Sequence, residues 1–181
     1  MSLEQKQNSV LIEECRRGNR KAQMEIYDQY CGMMYSTSLR ILNNAAEAED
    51  AMQEAFITAF SRLDDYRGEG SFGGWLRRIT VNRAIDMLRK RQDLKELNES
   101  ADTITDEEPE VPLCTHEEIR EAVAGLKDAD RVVLSLFLFE GYDHNEIAGI
   151  LGINHNAVRT RYSRARKRLQ NLLLKKINRI V

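Results

Sequence analysis

Asp143–Leu169, DHNEIAGILGINHNAVRTRYSRARKRL, is the stretch whose reading decides the fold. Asp143 with Glu146 three residues on fits a capping box, in which each side chain accepts the other residue's backbone N–H. Ile147, Ala148, Ile150 and Leu151 supply the buried side of a short helix, and Gly152 suits the left-handed position that ends it. Asn154 then caps a second helix within three residues. Helix, glycine turn, helix is the helix-turn-helix layout, whose second helix enters the major groove of DNA. At 100° per residue, Val158, Tyr162, Ala165, Leu169 and Leu172 fall on one side of that helix. Asn156, Arg159, Thr160, Ser163, Arg164 and Lys167 fall on the other, as donors that can reach base edges and phosphates.

Charge separates in the same way along the chain. From Ile147 to Val181 there are no acidic side chains and nine basic ones, and Arg77–Lys95 holds seven Lys/Arg against Asp86 and Asp93. Between these blocks Glu96–Glu118 carries nine acids and no Lys or Arg. The net charge of −2 is therefore the sum of opposed blocks. Two basic surfaces on separate helical units predict two contacts with a polyanion, most simply nucleic acid. A solvated helix face is the bland alternative for either block alone.

Upstream, residues 9–91 read as a helical unit. Ser9 is placed to cap a helix ending at Gly18, and Asn19 to cap a second carrying Ala22, Ile26, Tyr27 and Tyr30. Met33–Leu42 reads as a third, stopped by Asn43 and Asn44. A fourth, Ala45 to Leu63, has Met52, Ala55, Phe56, Ala59, Phe60 and Leu63 on its apolar face. Glu47, Asp50, Glu54, Thr58 and Ser61 lie opposite, with Gln53 on the flank. Those carboxylates have no histidine nearby and no second ligand-bearing helix, so no metal or other cofactor is expected. A solvated face and a docking face for a basic partner helix remain.

Asp64–Gly74 holds four glycines and reads as a loop. On the helix after it, Trp75, Arg78, Asn82, Asp86 and Arg89 form one stripe beside Tyr66, Arg67 and Phe72. Aromatics interleaved with arginine suit single-stranded nucleic acid, because every base offers a face for stacking. The competing reading puts Trp75 and Phe72 in the core, with Asp86 paired to Arg89 or Lys90.

Residues 92–115 read as a flexible acidic linker: they contain both prolines and the run TDEEPE, too polar to offset the entropy of ordering. Residues 116–178 read as a second, smaller domain, with helices over Glu117–Leu126 and Ala129–Glu140 preceding the helix-turn-helix. The 181 residues thus predict an all-α fold of two small helical domains. Three cysteines without a CxxC argue against a disulfide scaffold and a zinc finger. No run of 18 apolar residues predicts a membrane span, and MSLEQKQNSV lacks the marks of a secretion signal, so a cytoplasmic location is expected.

Three segments in order, AEDAMQEAFITAF, YRGEGSFGGWLRRITVNRAIDMLRKR and DHNEIAGILGINHNAVRTRYSRARKRL, resemble the extracytoplasmic-function (group IV) sigma factors of bacterial RNA polymerase. The resemblance covers about residues 9–91 and 116–174. It implies a sigma-2 domain over 9–91 that binds core polymerase and the −10 element, and a sigma-4 domain over 116–178 that binds the −35 element. Asp50, Gln53 and Glu54, with Glu47 beside them, match the part that grips the clamp helices of the polymerase largest subunit. Tyr66, Arg67, Trp75, Arg78 and Asn82 lie in the part that reads the −10 element as an unpaired strand. Arg159, Thr160, Ser163 and Arg164, flanked by Asn156 and Lys167, match the helix that reads the −35 duplex. Ser163 stands where the family often has a larger or aromatic residue. The resemblance further implies promoter DNA and an anti-sigma protein as partners, and no catalysis by the chain itself.

Two rivals are weighed against this. A stand-alone regulator of the response-regulator output type shares the helix-turn-helix, but needs a phospho-acceptor α/β domain where this chain is helical. A helical adaptor without DNA function has no use for the Arg/Lys stripe of the last domain.

Overall fold

The computed structural model describes residues 3–91 and 114–177. All regular structure among the described residues is helical, as expected. The helices are α1 (Leu3–Arg16), α2 (Arg20–Leu42), α3 (Ala45–Ser61), α4 (Phe72–Lys90), α5 (His116–Ala124), α6 (Asp128–Leu138), α7 (His144–Leu151) and α8 (His155–Ile177), with a 3-10 turn at Leu63–Asp65. They form two compact units that divide between Met87 and Leu88, within α4. The acidic segment 92–113, on which most of the expected linker falls, lies outside the described residues.

In the first unit α2 packs along α3, and α1 packs on α2. Asn19 caps α2 through its side-chain oxygen, which accepts from Lys21 and Ala22 N–H, and Asn44 caps α3 by accepting from Glu47 N–H. Such caps contribute about 1 kcal/mol each. Asn43 ends α2 in the left-handed conformation, φ +52°. The expected apolar face of α3 is buried at Met52, Ala55, Phe56 and Ala59, with Leu63 following in the 3-10 turn. Ala48 and Ala51 extend it and let α2 approach closely. Ile12, Ile26, Met34, Phe72 and Leu76 complete the same core.

Two expectations fail locally. Ser9 lies inside α1, which begins at Leu3, because the preceding Glu-Gln-Lys-Gln run is made of good helix formers and needs no new start. The two helices expected between Asn19 and Asn43 are one, running through Gly32. A mid-helix glycine costs about 1 kcal/mol relative to alanine, which does not break a helix anchored by packing on both sides. Ile26 and Met34 provide that anchoring, at 1% and 0% exposure.

In the second unit α6 is the central element: every residue from Ala129 to Leu136 is buried. α5, α6 and α7 each pack against α8. Val123, Leu126, Leu134, Ala165, Leu169 and Leu173 form one core cluster, with Tyr162 and Phe139 at its margin. Leu172, expected inside, is exposed, and Leu173 takes the buried place. Both lie within about 60° of the buried stripe, so helical spacing alone does not choose between them.

Candidate nucleic-acid interface

The helix-turn-helix forms through the local devices its sequence carries. Asp143 accepts from Asn145 and Glu146 N–H at 2.7 and 2.8 Å, and Glu146 accepts from Asp143 N–H at 2.8 Å, completing the capping box. Gly152 ends α7 at φ +66°, a left-handed geometry costly for a side chain with a Cβ. Asn154 Oδ1 accepts from Ala157 N–H at 2.7 Å and so caps α8. The first turn of α8 has no acidic residue, leaving the positive end of its dipole uncompensated and suited to phosphate.

α8 presents the expected donors. Asn156 and Arg159 are exposed, and Thr160, Ser163, Arg164 and Lys167 are partly exposed. Val158 and Ala165 are fully buried on the opposite side. Arg161, on neither face in the sequence reading, is turned inward. Its Nη1 meets Oδ1 of the buried Asp130 at 3.4 Å, and Arg168 grips the other oxygen of the same carboxylate. On α6 itself, buried Arg131 pairs with Asp128 and donates to Leu126 O at 3.2 Å. The sequence reading missed Asp130 because it sits in an apolar helix with its partners 31 and 38 residues away.

Between the two helices of the motif, His144 stacks on Phe137 at 5.1 Å and leans on Tyr162 at 4.9 Å, with the His155 ring 6.1 Å away. Burial, then the charges of His155 and Arg159, push the His144 imidazole below its ordinary pKa, against a smaller opposing pull from Asp143.

In the first unit the loop after α3 gathers the aromatic site residues. Tyr66 meets Phe72 edge-on at 5.2 Å and Trp75 at 5.6 Å, while Phe72 and Trp75 stack at 5.6 Å. The Tyr66 hydroxyl donates to Gly70 O at 3.0 Å, closing a turn with Gly68 and Gly70 at φ +80° and +79°. Ser71 Oγ accepts from Gly74 N–H at 3.0 Å and starts α4. Phe72 is core, as the competing reading held, at 3% exposure. Trp75 and Tyr66 are half-buried and pack against that core, whereas Arg67, Arg78 and Asn82 are exposed. Trp75, Arg78 and Asn82 follow at three and four residues along α4 and share one stripe, with Tyr66 packed against Trp75.

The polar face of α3 divides more finely than its spacing implied. Asp50 and Gln53 are exposed, with Gln53 donating to Glu49 at 3.3 Å. Glu47 is half-buried in the first turn of the helix. Glu54 is ion-paired with Arg83 of α4. Ile57, one turn beyond Gln53 and Glu54, is 69% exposed, an apolar residue on a polar face. Its mismatch with the apolar spacing of α3 is visible in the sequence itself. Among the described residues no group of three or more His, Cys, Asp or Glu could hold a metal ion. No helix among them is long and apolar enough to cross a membrane.

Residues 26–93 match Sigma-70 region 2, and residues 116–169 match Sigma-70, region 4. The chain is 31% identical over 176 residues to the ECF RNA polymerase sigma factor SigW of Bacillus subtilis, covering 90% of this chain and 94% of that one. It is 30% identical over 182 residues to the ECF RNA polymerase sigma-E factor of Escherichia coli K12, covering 93% and 95%. It is 32% identical over 158 residues to the ECF RNA polymerase sigma factor SigE of Mycolicibacterium smegmatis, covering 83% of this chain but spanning only 61% of that longer relative. Among solved structures, the sigma factor RpoE of Bartonella quintana, in complex with the anti-sigma factor NepR, shares the fold with a TM-score of 0.55 at 20% identity, over 83% of this chain and 95% of that one. CnrH, in complex with the cytosolic domain of CnrY, gives 0.53 at 24% identity, over 91% and 95%.

Proposed function

The chain belongs to the extracytoplasmic-function group of the sigma-70 family, and from that membership we propose that it directs promoter-specific initiation by binding core RNA polymerase, the −35 duplex and the melted −10 strand. The observation that carries this reading is the order of the two family regions on one chain, each with an accessible surface of the matching chemistry. A stand-alone helix-turn-helix regulator leaves the region 2 match at residues 26–93 without a purpose.

In this reading residues 116–178 hold the duplex. The N-terminal half of α8 enters the major groove, where Arg159, Thr160, Ser163 and Arg164 reach base edges while Asn156 and Lys167 position it on phosphates. Residues 9–91 hold the polymerase and the single strand, and 92–115 link the two. Asp50, Gln53 and the edge of Glu47 meet the basic clamp helices of the largest subunit, and Ile57 adds an apolar contact. Glu54 contributes partly through its ion pair, which ties the docking helix α3 to α4.

The −10 strand is captured by stacking and hydrogen bonding. The exposed sides of Tyr66 and Trp75 offer a platform that every base can use. Asn82 can both donate and accept, so it can read an unpaired base edge hidden in the duplex. Arg67 and Arg78 neutralise the backbone that follows. The chain itself makes and breaks no bond; phosphodiester synthesis belongs to the polymerase, which places the protein in the cytoplasm. An anti-sigma protein covering the polymerase-binding surfaces is the expected regulator.

The test is reconstitution. The purified chain is mixed with bacterial core polymerase and genomic fragments, and transcript 5′ ends are mapped. Discrete starts that require the chain support the proposal. Failure to bind core, or starts identical to those of core alone, refutes it.

A further inference from the structure

We propose that Arg16 is a positioning residue for −10 strand capture: from α1 it holds the loop that carries Tyr66 and Arg67 in the shape that presents them. One guanidinium nitrogen, Nη2, donates to Leu63 O at 3.0 Å and to Tyr66 O at 2.8 Å, the two ends of the turn that follows α3. Nη1 lies 3.3 Å from the Glu13 carboxylate, and Nε lies 3.6 Å from the Asp64 carboxylate. Leu63 O also receives Tyr66 N–H at 3.2 Å, and Arg62 O receives Asp65 N–H at 2.9 Å, so Arg16 adds a side-chain clamp to a turn the backbone also closes. A planar, always-charged donor fork is suited to hold two carbonyls of one turn together.

The consequence is specific to the loop. At its far end the Tyr66 hydroxyl closes onto Gly70, and the Tyr66 ring rests on Phe72 and Trp75. Between these points Arg67–Ser71 is exposed, and two glycines sit in the left-handed region. Such a segment buries little, so its order depends on the few bonds at its ends. Arg16 is 47 and 50 residues distant in sequence from the carbonyls it binds and lies on neither DNA-reading stripe. Its effect on the single strand is therefore indirect, through Tyr66. The inference rests on the strand-capture reading of Tyr66–Asn82, and the experiment separates the two.

Arg16→Ala is compared with the unaltered chain in three measurements. In the free full-length protein, trypsin should release the fragment ending at Arg67 about fivefold faster, because cleavage follows the population of the opened loop. In holoenzyme, open-complex formation on duplex promoters should fall severalfold, with little change on templates already unpaired at −10. Core binding should be unchanged. An unchanged rate of cleavage after Arg67 overturns the positioning role whatever the transcription result. Equal losses on both templates together with lost core binding overturn it as well, and assign Arg16 to the general stability of the first unit. Asn82→Ala is measured alongside: if it shows no dependence on template state while cleavage of the Arg16→Ala loop is accelerated, the strand-capture reading fails and the functional half of the proposal falls with it.

Discussion

Asp130 and Arg161 meet 3.4 Å apart inside the second unit, a buried carboxylate on α6 holding a guanidinium from the helix that carries the proposed DNA-reading donors. With Arg168 two turns further along α8 on the same carboxylate, the contact fixes the helix in both rotation and slide. Rotation matters because about 100° separates successive side chains. A modest roll would turn Arg159 and Arg164 away from the face proposed to meet the duplex. Removing the buried carboxylate takes the ion pair from both Arg161 and Arg168, so Asp130→Ala should cost about 3–5 kcal/mol of stability in the second unit. Chemical denaturation of the full chain measures this. A loss below about 1 kcal/mol, the range of exposed pairs, would mean that water reaches the site.

The α3 surface gives a prediction with an internal control. Asp50 is exposed, so Asp50→Lys should change stability only within the small range of surface charges, about 0–1 kcal/mol, while weakening core polymerase binding. Glu54 is paired with Arg83, so Glu54→Lys sets two cations together and should lower both stability and binding. Core affinity unchanged by Asp50→Lys removes that residue from the docking face.

Asn82 is exposed on α4, which disfavours a role as a buried amide tying the helix to the loop. Asn82→Ala should therefore leave the melting temperature unaltered. It should impair transcription from duplex promoters far more than from templates opened at −10, since capturing an unstacked base offsets a few kcal/mol of lost pairing. An equal defect on both templates, with a lowered melting temperature, would falsify the base-reading role.

His144 makes the helix-turn-helix sensitive to mild acid. Its folded-state pKa lies below the ordinary histidine value, chiefly through burial, so the native state disfavours the proton. The unfolded chain then binds more protons in this window, and stability rises with pH. The contribution is full above about pH 6.5 and is lost as pH falls through the folded-state value. The melting temperature should drop on going from about pH 7.5 to 5.5, and His144→Gln should reduce that drop. Identical drops in both proteins would assign the effect to other groups.

The parts of the fold that were legible in the sequence are those whose causes are local. Asp143, Glu146, Gly152 and Asn154 act within three or four residues of one another, and the motif they predict is the one that forms. The apolar spacing of α3 is equally self-contained. The break expected between Tyr30 and Met33 does not form, because the packing of Ile26 and Met34 is tertiary and outweighs the local cost of Gly32. Leu172 and Leu173 differ only in what α5 and α6 bring against them. The roles of Arg16, Asp130 and Arg161 were invisible for the same reason: the contacts that set them span 31 or more residues, and no spacing rule reaches that far. At the candidate interfaces the residue types and their helical stripes were readable. The Glu54–Arg83 pair and the half-buried seat of Trp75 required the packed structure.

The central claim is that one chain grips duplex with one unit and an unpaired strand with the other. Permanganate footprinting of reconstituted holoenzyme on a promoter found by transcript mapping, read beside nuclease protection on the same DNA, tests it most directly. The account predicts reactive, unpaired thymines at a fixed distance downstream of a protected duplex segment. It further predicts that Asn82→Ala abolishes the reactivity while Arg164→Ala weakens the upstream protection. Upstream protection without any unpaired thymines would contradict it.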